Sequence, residues 1–506
     1  MNLFSTLDEM LFTPIRAMRM RYLPPLIVFF AYGASTFSGV AESFFVKEKL
    51  HLSAESLMML GVWLMLPWTT KMILGQLADS VTLFGSSRKS YLCLGACFMA
   101  MSSLLLSGLA GEWPLVMALG SSTAIYMTSS MLAVIGVVMQ NVIADAMTIE
   151  VVPRDGRAPV DIEHELATVQ LLGRLSISLA MFSVIGLGGF MASYFSYQTI
   201  FLLTLLIPLL SMTACFFVQN EHKPEQSMNS KILYWGFAYL LFSVVMAITE
   251  WRFNQEIILI VSLVIVIYLL KVVTTGLPTE TLKGIVCAAI VIFIFRATPF
   301  VGPGLSWWEI DTLGFSKTFF GILGEIGTAL AVMGMWLLAK PITQKPVGIV
   351  LVALTLVSFL LSLPVLGLYY GLHHWTEHVF GFGARTIAMV DTALASPFEP
   401  LSMVPMLTLI AIHAPRGQIA TWFALMASLM NLALTTGGII SKQLNEYWVV
   451  SRQVMDASGN ILVQADYSQL GALLWITTIA GTVLPILAAY VFLPGDFHRN
   501  RLKNSP

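Results

Sequence analysis

Apolar runs long enough to cross a bilayer recur along almost the whole chain, and they constrain the fold more than any other feature. A helix needs about 20 mostly apolar residues to cross the hydrocarbon core. We assign about fourteen such runs, to residues 24–45, 54–77, 90–110, 115–147, 166–191, 197–218, 233–250, 257–275, 283–303, 318–339, 346–367, 384–412, 418–441 and 470–493. These runs predict an all-α protein that crosses a membrane many times.

Composition indicates that lipid is the surrounding solvent. Hydrophobic residues make up 57% of the 506 residues and charged residues only 11%, whereas soluble domains carry about 25% charged residues. The net charge of −1 gives no reason to expect a nucleic-acid partner. The lipid bilayer is the partner that this composition requires.

Cysteines and histidines give no sign of a metal site or a cofactor. The cysteines lie in apolar runs and lack the spacing of metal ligands or of a disulfide framework. Three histidines in the polar stretch 368–383 have a spacing that could bind metal, but an exposed, solvated loop explains them better. We therefore expect neither a metal nor a cofactor. The residues concerned are Cys93, Cys97, Cys215, Cys287, His373, His374 and His378.

Basic residues predict the orientation. If the N terminus is cytoplasmic, seventeen of the 27 lysines and arginines fall in or beside inner loops, seven fall in outer loops, and three lie within spans. This bias fits the positive-inside rule. The sequence therefore predicts a multi-pass protein of the cell's inner (plasma) membrane, with both termini in the cytoplasm.

A charged turn joins the second and third spans, with the pattern G-x-L-A-D…G…R-K. Its glycine lets neighbouring helices approach closely, and its aspartate can pair with a basic group on an adjoining span. The pattern resembles the signature loop of the major facilitator superfamily. An ordinary topogenic loop is the alternative, because basic residues are needed there in any case. The resemblance implies a gating loop made of Gly75, Asp79, Arg88 and Lys89.

Four longer stretches resemble the folate–biopterin transporter family of that superfamily. They are "LPWTTKMILGQLAD" at 66–79, "QNVIADAMTIE" at 140–150, "RATPFVGPGLSWWEIDTLGFSKTFFGILGEIG" at 296–327 and "APRGQIATWFALMASLMNLAL" at 414–434. Two positions depart from the family pattern. Asn141 stands where the family has the first of two acidic residues, and Ile419 stands where an acidic residue is usual. These departures leave the substrate and the coupling ion open.

The resemblance implies a major facilitator fold with two six-helix bundles, each built of inverted three-helix repeats, and a substrate site near the midplane between them. Residues 1–219 would form the first bundle and residues 281–506 the second. Residues 220–280 would then be a linker that carries two extra central helices, 233–250 and 257–275. These two runs have almost no internal charge, so we expect them to lie outside the twelve-helix core and to face lipid.

Three basic residues, Lys71, Arg174 and Arg296, lie within spans, where a charge costs on the order of 2.5–3.5 kcal/mol on insertion scales. They predict a cavity that attracts an anion. Lys71 could instead extend toward the membrane surface, and Arg174 could simply pair with Asp145. We place Arg296 mid-span, beside a helix-bending proline.

Aromatic and amide side chains complete the predicted substrate site. Trp68 and Phe300 could stack on a flat ring, and Asn431 belongs to the stretch that resembles the eleventh span of the family. Trp307 and Trp308 could also stack on substrate, but an aromatic belt at the membrane interface explains them better.

Four acidic residues are candidates for proton coupling, because isolated carboxylates are the titrating groups that the spans offer. They are Asp145, Asp391, Glu399 and Glu42. Glu399 has an alternative role, since Pro397 and Pro400 break the helix beside it and its carboxylate could satisfy the freed backbone groups.

The sequence thus predicts a secondary active transporter, coupled to protons, that moves a folate-like, pterin-like or other small organic anion by alternating access, as a monomer. We find no P-loop pattern and no hydrolase pattern, so we expect no enzyme. One alternative is a transporter of the same fold for an amino acid, a nucleoside or a muropeptide. Others are a membrane assembly factor that does not transport and a receptor-like sensor.

Overall fold

The computed structural model describes residues 15–50, 64–218, 229–249, 253–415, 418–451, 454–455 and 461–498. Residues 20–22 and 35–38 form 3₁₀ turns, residues 46–50 a π turn, and residues 64–69 are helical. The remaining elements are α1 (Leu23–Ala34), α2 (Gly39–Phe45), α3 (Lys71–Ser80), α4 (Lys89–Ala110), α5 (Pro114–Met117), α6 (Ser122–Glu150), α7 (Pro159–Tyr194), α8 (Tyr197–Leu203), α9 (Leu206–Phe217), α10 (Ser230–Ile248), α11 (Asn254–Val273), α12 (Thr279–Arg296), α13 (Gly304–Asp311), α14 (Lys317–Leu337), α15 (Ala339–Gln344), α16 (Val347–Tyr369), α17 (Leu372–Phe380), α18 (Ala384–Ala395), α19 (Phe398–Ile412), α20 (Ile419–Tyr447), β1 (Val454–Met455), β2 (Ile461–Val463), α21 (Leu470–Phe492) and α22 (Pro494–His498).

The predicted class, an all-α polytopic membrane protein, is confirmed. Within the described residues, the strands are limited to β1 and β2, which pair antiparallel through Val454 opposite Val463 and Met455 opposite Ile461. Nine helices in that part of the chain are long and apolar enough to cross a membrane, and 230–246 and 322–337 are shorter apolar helices. The exact count of about fourteen spans is therefore not confirmed. The first part of the predicted span 54–77, up to residue 63, lies outside the described residues.

Residue contacts divide the chain into two units. The first contains Met1–Thr279 together with Ile410–Leu429, and the second contains Glu280–Leu409 and Met430–Pro506. The predicted division into 1–219, 220–280 and 281–506 stays a prediction.

Small residues let the helices of the first unit cross closely. A Cβ added to Gly136 on α6 would lie 2.6 Å from the backbone oxygen of Gly95 on α4. One added to Gly33 on α1 would lie 2.4 Å from the backbone oxygen of Ile177 on α7. Close crossings of this kind are typical of membrane helices, which associate through van der Waals packing rather than through exclusion of water. Helix α1 packs against both α6 and α7, which carry two residues of the site described below.

The second unit has its own apolar core. Trp308 on α13 is 5% exposed and packs with leucines of α16 and α21, and its ring centroid lies 5.7 Å from that of Tyr369. Trp308 is therefore a core residue, and the interpretation as an interface belt is wrong for it. The packed leucines are Leu366, Leu368, Leu470 and Leu474.

Two predicted spans are interrupted. The run 24–45 consists of α1, a 3₁₀ turn at Ser35–Ser38 and α2. The run 384–412 consists of α18 and α19, which are separated at 396–397. A proline at residue 397 removes one backbone donor and disfavours helical conformation for the residue before it, so a break at this point is expected.

The mid-span position of Arg296 is wrong. The helix α12 ends at Arg296, seven residues before the end of the predicted span. Pro299 follows shortly after, and Gly302 has a φ of +85°. Since residues before a proline avoid the helical region and a left-handed glycine ends regular structure, the chain leaves the helix here.

The two extra helices, α10 and α11, pack on each other through Trp235 and Tyr268, whose ring centroids are 5.6 Å apart. On α10, a Cβ added to Gly236 would lie 2.7 Å from Cγ1 of Ile73, so α10 lies against α3. Both helices expose large apolar side chains, as a lipid-facing surface requires: Tyr234, Phe237, Leu241, Val245, Ile260, Val264 and Ile267. That these helices lie outside a twelve-helix core stays a prediction.

Candidate functional site

Three ionisable side chains meet inside the first unit. Lys71 begins α3, Asp145 lies on α6 and Arg174 lies on α7. The Asp145 carboxylate interacts electrostatically with both cations, and the two cations act on each other. Lys71 is 4% exposed and Asp145 is 5% exposed, so both are held away from the surface. Two of the three predicted cations and one predicted acid therefore belong to one cluster, which we call the central triad (Lys71, Asp145, Arg174).

The central triad is not closed by direct bonds. Among the described residues, none of its three side chains makes a hydrogen bond or an ion pair within 4.0 Å. With both bases charged and the acid ionised, the triad carries one net positive charge. The charges of the central triad therefore act on one another through space, without a direct bond between them.

Two aromatic rings border the central triad. The Lys71 ammonium lies 5.7 Å from the ring centroid of Trp68, in the range of a cation–π contact. The Trp68 ring meets Tyr32 edge to face at 6.1 Å, and Tyr32 interacts electrostatically with Arg174. Lys71 therefore contacts an aromatic neighbour inside the unit and does not extend to the surface, as a lysine anchored at the membrane interface would. Sequence reasoning missed Tyr32, which carries no motif.

The gating loop forms a second set of contacts. Arg88 Nη2 donates to Asp79 Oδ1 at 3.0 Å and to Glu150 Oε1 at 2.6 Å, while Arg88 Nη1 donates to the Ala78 carbonyl at 3.0 Å. Asp79 is 7% exposed and Arg88 is 2% exposed. Buried, charge-assisted bonds of this kind are among the strong ones. The predicted gating residues Asp79 and Arg88 are therefore in contact.

Asp79 also binds the start of a distant helix. The backbone N–H of Thr421 donates to Asp79 Oδ2 at 2.7 Å, the Thr421 hydroxyl donates to the same oxygen at 2.8 Å, and the Ala420 N–H donates to Oδ1 at 3.3 Å. These groups lie in the first turn of α20, where unpaired N–H groups and the helix dipole favour an anion. We call Asp79, Arg88, Glu150 and Thr421 the latch.

The latch continues on both sides. Gly75, the predicted close-approach glycine, has room for no side chain, because an added Cβ would lie 2.7 Å from the Ala420 backbone oxygen. Arg154 donates to the carbonyls of Ala411 at 2.9 Å and Ala414 at 3.1 Å. Lys89, the fourth predicted gating residue, begins α4, and its backbone N–H donates to the Ser86 hydroxyl at 3.0 Å.

Sequence reasoning missed Glu150, Arg154 and Thr421, because nothing near them in sequence is their partner. Glu150 and Arg88 are 62 residues apart, and Asp79 and Thr421 are 342 residues apart. For Glu150 a signal existed, since it is the second carboxylate of the stretch at 140–150 and the last residue of α6. For Thr421 the signal was its place shortly after the sequence Pro-Arg-Gly, since such sequences often precede the start of a helix.

Glu42 lies on α2 of the first unit, and the other predicted site residues belong to the second unit. Arg296 ends α12, and Phe300 follows it with half of its surface exposed and its N–H bonded to the Ser441 hydroxyl at 2.8 Å. Asn431 lies on α20 and is partly buried. Their roles in binding substrate stay predictions.

The two predicted acids of the second unit lie on the interrupted span. Asp391 is on α18, and its Oδ1 is buried with no hydrogen-bond partner in the described part of the chain. Glu399 is the second residue of α19, and its side chain lies outside the part of the structure that is described. Sequence reasoning missed Glu309 on α13, which interacts electrostatically with Asp391. The available signal was a carboxylate directly after two tryptophans.

Glu309→Gln is expected to flatten the pH dependence of thermal stability between about pH 4.5 and 7. Burial, with a further contribution from the Asp391 carboxylate, raises the pKa of Glu309 from 4.5 to about 7. In that range the folded chain holds a proton that the unfolded chain releases, so stability falls as pH rises. The measurement is the melting temperature of the full chain at both ends of the range. Glu280→Gln, at an exposed glutamate, is the control, and a slope unchanged in Glu309→Gln contradicts the prediction.

Comparison with other sequences gives a family match along nearly the whole chain. The sequence model of the BT1 family matches residues 33–501. The folate-biopterin transporter of Synechocystis is 25% identical over 481 residues, which cover 93% of this chain and 81% of that protein. Folate transporter 1 of Plasmodium falciparum is 21% identical over 481 residues, which cover 94% of this chain and 79% of that protein.

Comparison with solved structures identifies the fold. The structure of a major facilitator superfamily proton:xylose symporter matches 94% of this chain and 95% of its own, with a TM-score of 0.53 at 15% identity. A POT family transporter in complex with a thioalcohol-conjugated peptide matches 94% of this chain and 96% of its own, with a TM-score of 0.57 at 13% identity. At such identities the likeness shows the fold alone, and it is the major facilitator fold.

Proposed function

The chain belongs to the BT1 family, and we propose that it is a secondary active transporter that moves a folate-like or pterin-like organic anion together with protons. Its family and fold are those of multi-pass membrane transporters of small molecules, not of enzymes. The substrate class, the coupling ion and the mechanism are the proposal. Relatives named for folate and biopterin support the substrate class.

The observation that carries the proposal is the central triad. Its two cations and one carboxylate are drawn together without direct bonds, and its net charge favours an anion. Arg174 offers a planar guanidinium that binds a carboxylate with two parallel hydrogen bonds. Trp68 and Tyr32 supply aromatic faces for a flat ring. A pterin with a carboxylated tail has both features.

Asp145 supplies a route to proton coupling. When it is ionised, its charge offsets one of the two cations beside it. When Asp145 is protonated, its carboxyl group no longer competes with the substrate anion for Arg174 and Lys71, so these two cations bind the anion more tightly. The loaded site then carries a proton and an anion together, and neutralised charge lowers the cost of passing through the membrane. Asp391, Glu399 and Glu42 are further candidates for carrying protons, and Arg296, Phe300 and Asn431 for binding substrate.

The latch supports alternating access. Asp79, which also holds Arg88, accepts hydrogen bonds from Ala420 and Thr421 that must break if the first turn of α20 moves away from α3. Two bundles, residues 1–219 and 281–506, would rock about a site between them. We place the transporter in the plasma membrane as a monomer, with both termini in the cytoplasm, on the bias of lysine and arginine among the loops.

Uptake into proteoliposomes tests the proposal. Vesicles containing the purified full chain should accumulate labelled folate, and accumulation should rise when the outside is more acidic than the inside. A pterin without a carboxylated tail should compete at least tenfold more weakly, because losing a hydrogen bond to a charged group costs about 1.5–3 kcal/mol. Empty vesicles are the control.

Each alternative has its own result in the same assay. If the vesicles take up an amino acid, a nucleoside or a muropeptide but no folate, the proposed substrate class is wrong and that solute is the substrate. Absence of uptake for every solute tested, with correctly inserted and folded protein, would favour an assembly factor or a sensor and refute the proposal.

A further inference from the structure

A cavity lies inside the first unit, beside the central triad. Its volume is about 240 Å³, and it is lined by the 3₁₀ turn at 35–38, by α2, α4, α6 and α9, and by Trp68 and Thr204. Trp68 lines the cavity, and its ring also makes the cation–π contact with the Lys71 ammonium. The cavity therefore adjoins the central triad, with one tryptophan as the partition, and it holds room for several waters.

The wall of this cavity is unusually rich in hydroxyl groups. Several of these hydroxyls already donate their single hydrogen to the protein. Ser35 donates to the Tyr32 carbonyl at 2.6 Å, Ser103 to the Met99 carbonyl at 3.1 Å and Ser129 to the Ser102 carbonyl at 2.9 Å. A hydroxyl has one donor hydrogen and two lone pairs, so these oxygens offer lone pairs to an occupant. The lining hydroxyl residues are Ser35, Ser38, Ser102, Ser103, Ser129, Ser130 and Thr204.

One carboxylate, Glu42, reaches the same space. Its Oε1 accepts a hydrogen bond from the Tyr126 hydroxyl at 3.0 Å, and its other oxygen has no hydrogen-bond partner among the described residues. Ser35, Ser38 and Glu42 are spaced three and four residues apart on the interrupted first span, so they share one face. Among the described lining residues there is no lysine, arginine or histidine. The cavity is thus rich in hydrogen-bond acceptors, and Glu42 adds a carboxyl group to its wall.

Among the described residues, Tyr126 is the group that bonds to Glu42. The elements packed against α2 contribute Tyr194 on α7, Tyr197 on α8 and the exposed Lys49 on the adjacent π turn, and α6 contributes Tyr126. A carboxylate and a ring of lone pairs attract a small cation, as oxygen ligands do for hard metal ions. The interrupted helix at this point is the setting in which transporters bind coupling ions.

We propose that the Glu42 cavity binds a monovalent cation, either Na⁺ or a proton carried by water, that accompanies transport through the central triad. The role of the cation in transport rests on the proposed function, whereas the binding of the cation does not. It assigns Glu42 and the surrounding serine oxygens as ligands, and it places the ion on the other side of Trp68 from the substrate anion.

Thermal stability of the full chain in lipid nanodiscs tests the site without any substrate. In one arm, sodium chloride replaces choline chloride at constant ionic strength and fixed pH. In the other arm, pH varies in choline chloride without sodium. If Na⁺ is the occupant, the melting temperature of the wild type rises saturably by a few degrees with sodium. If a proton is the occupant, sodium has no effect, but the response to pH depends on Glu42.

Glu42→Gln should lose whichever response the wild type shows. Glu112→Gln is the matched control, because Glu112 is an exposed glutamate of the same unit and should keep the response. Ser130→Ala keeps the charge and removes one lining oxygen, and it should shift the sodium midpoint or the pH midpoint several-fold. It serves as the test if Glu42→Gln does not fold.

The proposal is overturned if Glu42→Gln, or Ser130→Ala in its place, follows the wild type in both arms. Folate uptake is measured separately on the same preparations. Normal uptake with no dependence of stability on Glu42 refutes only the cation site. A response that depends on Glu42, without uptake of any folate, refutes only the proposed substrate.

Discussion

Asp79→Asn is expected to slow folate uptake at least tenfold while leaving the affinity for substrate nearly unchanged. Asp79 accepts bonds from Arg88, from the Thr421 hydroxyl and from two N–H groups at the start of α20. An asparagine keeps the shape but loses the charge, and the loss of one charged hydrogen-bonding partner costs about 1.5–3 kcal/mol. That is about a tenfold to hundredfold shift between conformations. Since Asp79 is not part of the central triad, binding is retained.

The measurement pairs uptake rates in proteoliposomes with equilibrium binding of folate to purified protein. Asp161→Asn is the control, because it removes an exposed carboxylate on α7 that plays no part in the latch. Thr421→Val removes one bond to the same carboxylate, so its effect should be smaller and should not add to that of Asp79→Asn. An Asp79→Asn protein that transports at the rate of the wild type would show that the latch is not a gate.

The latch shows what a sequence can and cannot predict. The pattern between the second and third spans identified Gly75, Asp79 and Arg88, because such a loop needs a small residue and charges at fixed spacing. It could not identify Thr421, which reaches Asp79 across 342 residues. Periodicity carries no information about which helices meet, so partners on distant helices become visible only in the structure.

The interrupted helices show the same limit in another form. Hydropathy predicted membrane spans at 24–45 and 384–412, but hydropathy does not reveal where the backbone of a span leaves helical geometry. At 396–397 a proline gave the signal. At Ser35–Ser38 there is no proline, and Gly33 and Gly39 beside the turn give only a weak signal in a membrane helix, so the 3₁₀ turn before Glu42 was not predicted. Arg296 was misplaced because an apolar run continued past the true end of α12.

Arg174→Gln is expected to weaken folate binding about tenfold to a hundredfold. Arg174 is the planar donor of the central triad, and a substrate carboxylate would lose a bidentate, charge-assisted partner worth about 1.5–3 kcal/mol. The measurement is equilibrium binding of folate and of a pterin without a carboxylated tail. Only the folate should respond strongly. Arg385→Gln, at an exposed arginine of the second unit, is the control.

Asp145→Asn separates a substrate site from a structural ion pair. If Arg174 serves only to balance Asp145, then Arg174→Gln lowers stability by leaving a buried carboxylate without its cation, and adding Asp145→Asn restores both stability and binding. If Arg174 binds the substrate, the double variant regains stability but not binding. Asp145→Asn alone, which mimics the protonated acid, should then bind folate at least as tightly as the wild type while losing accumulation driven by protons. Binding of wild-type strength in Arg174→Gln would exclude the central triad as the anion site. In that case the buried charges of the first unit would require a purely structural explanation, one in which Lys71 and Arg174 together balance a single carboxylate.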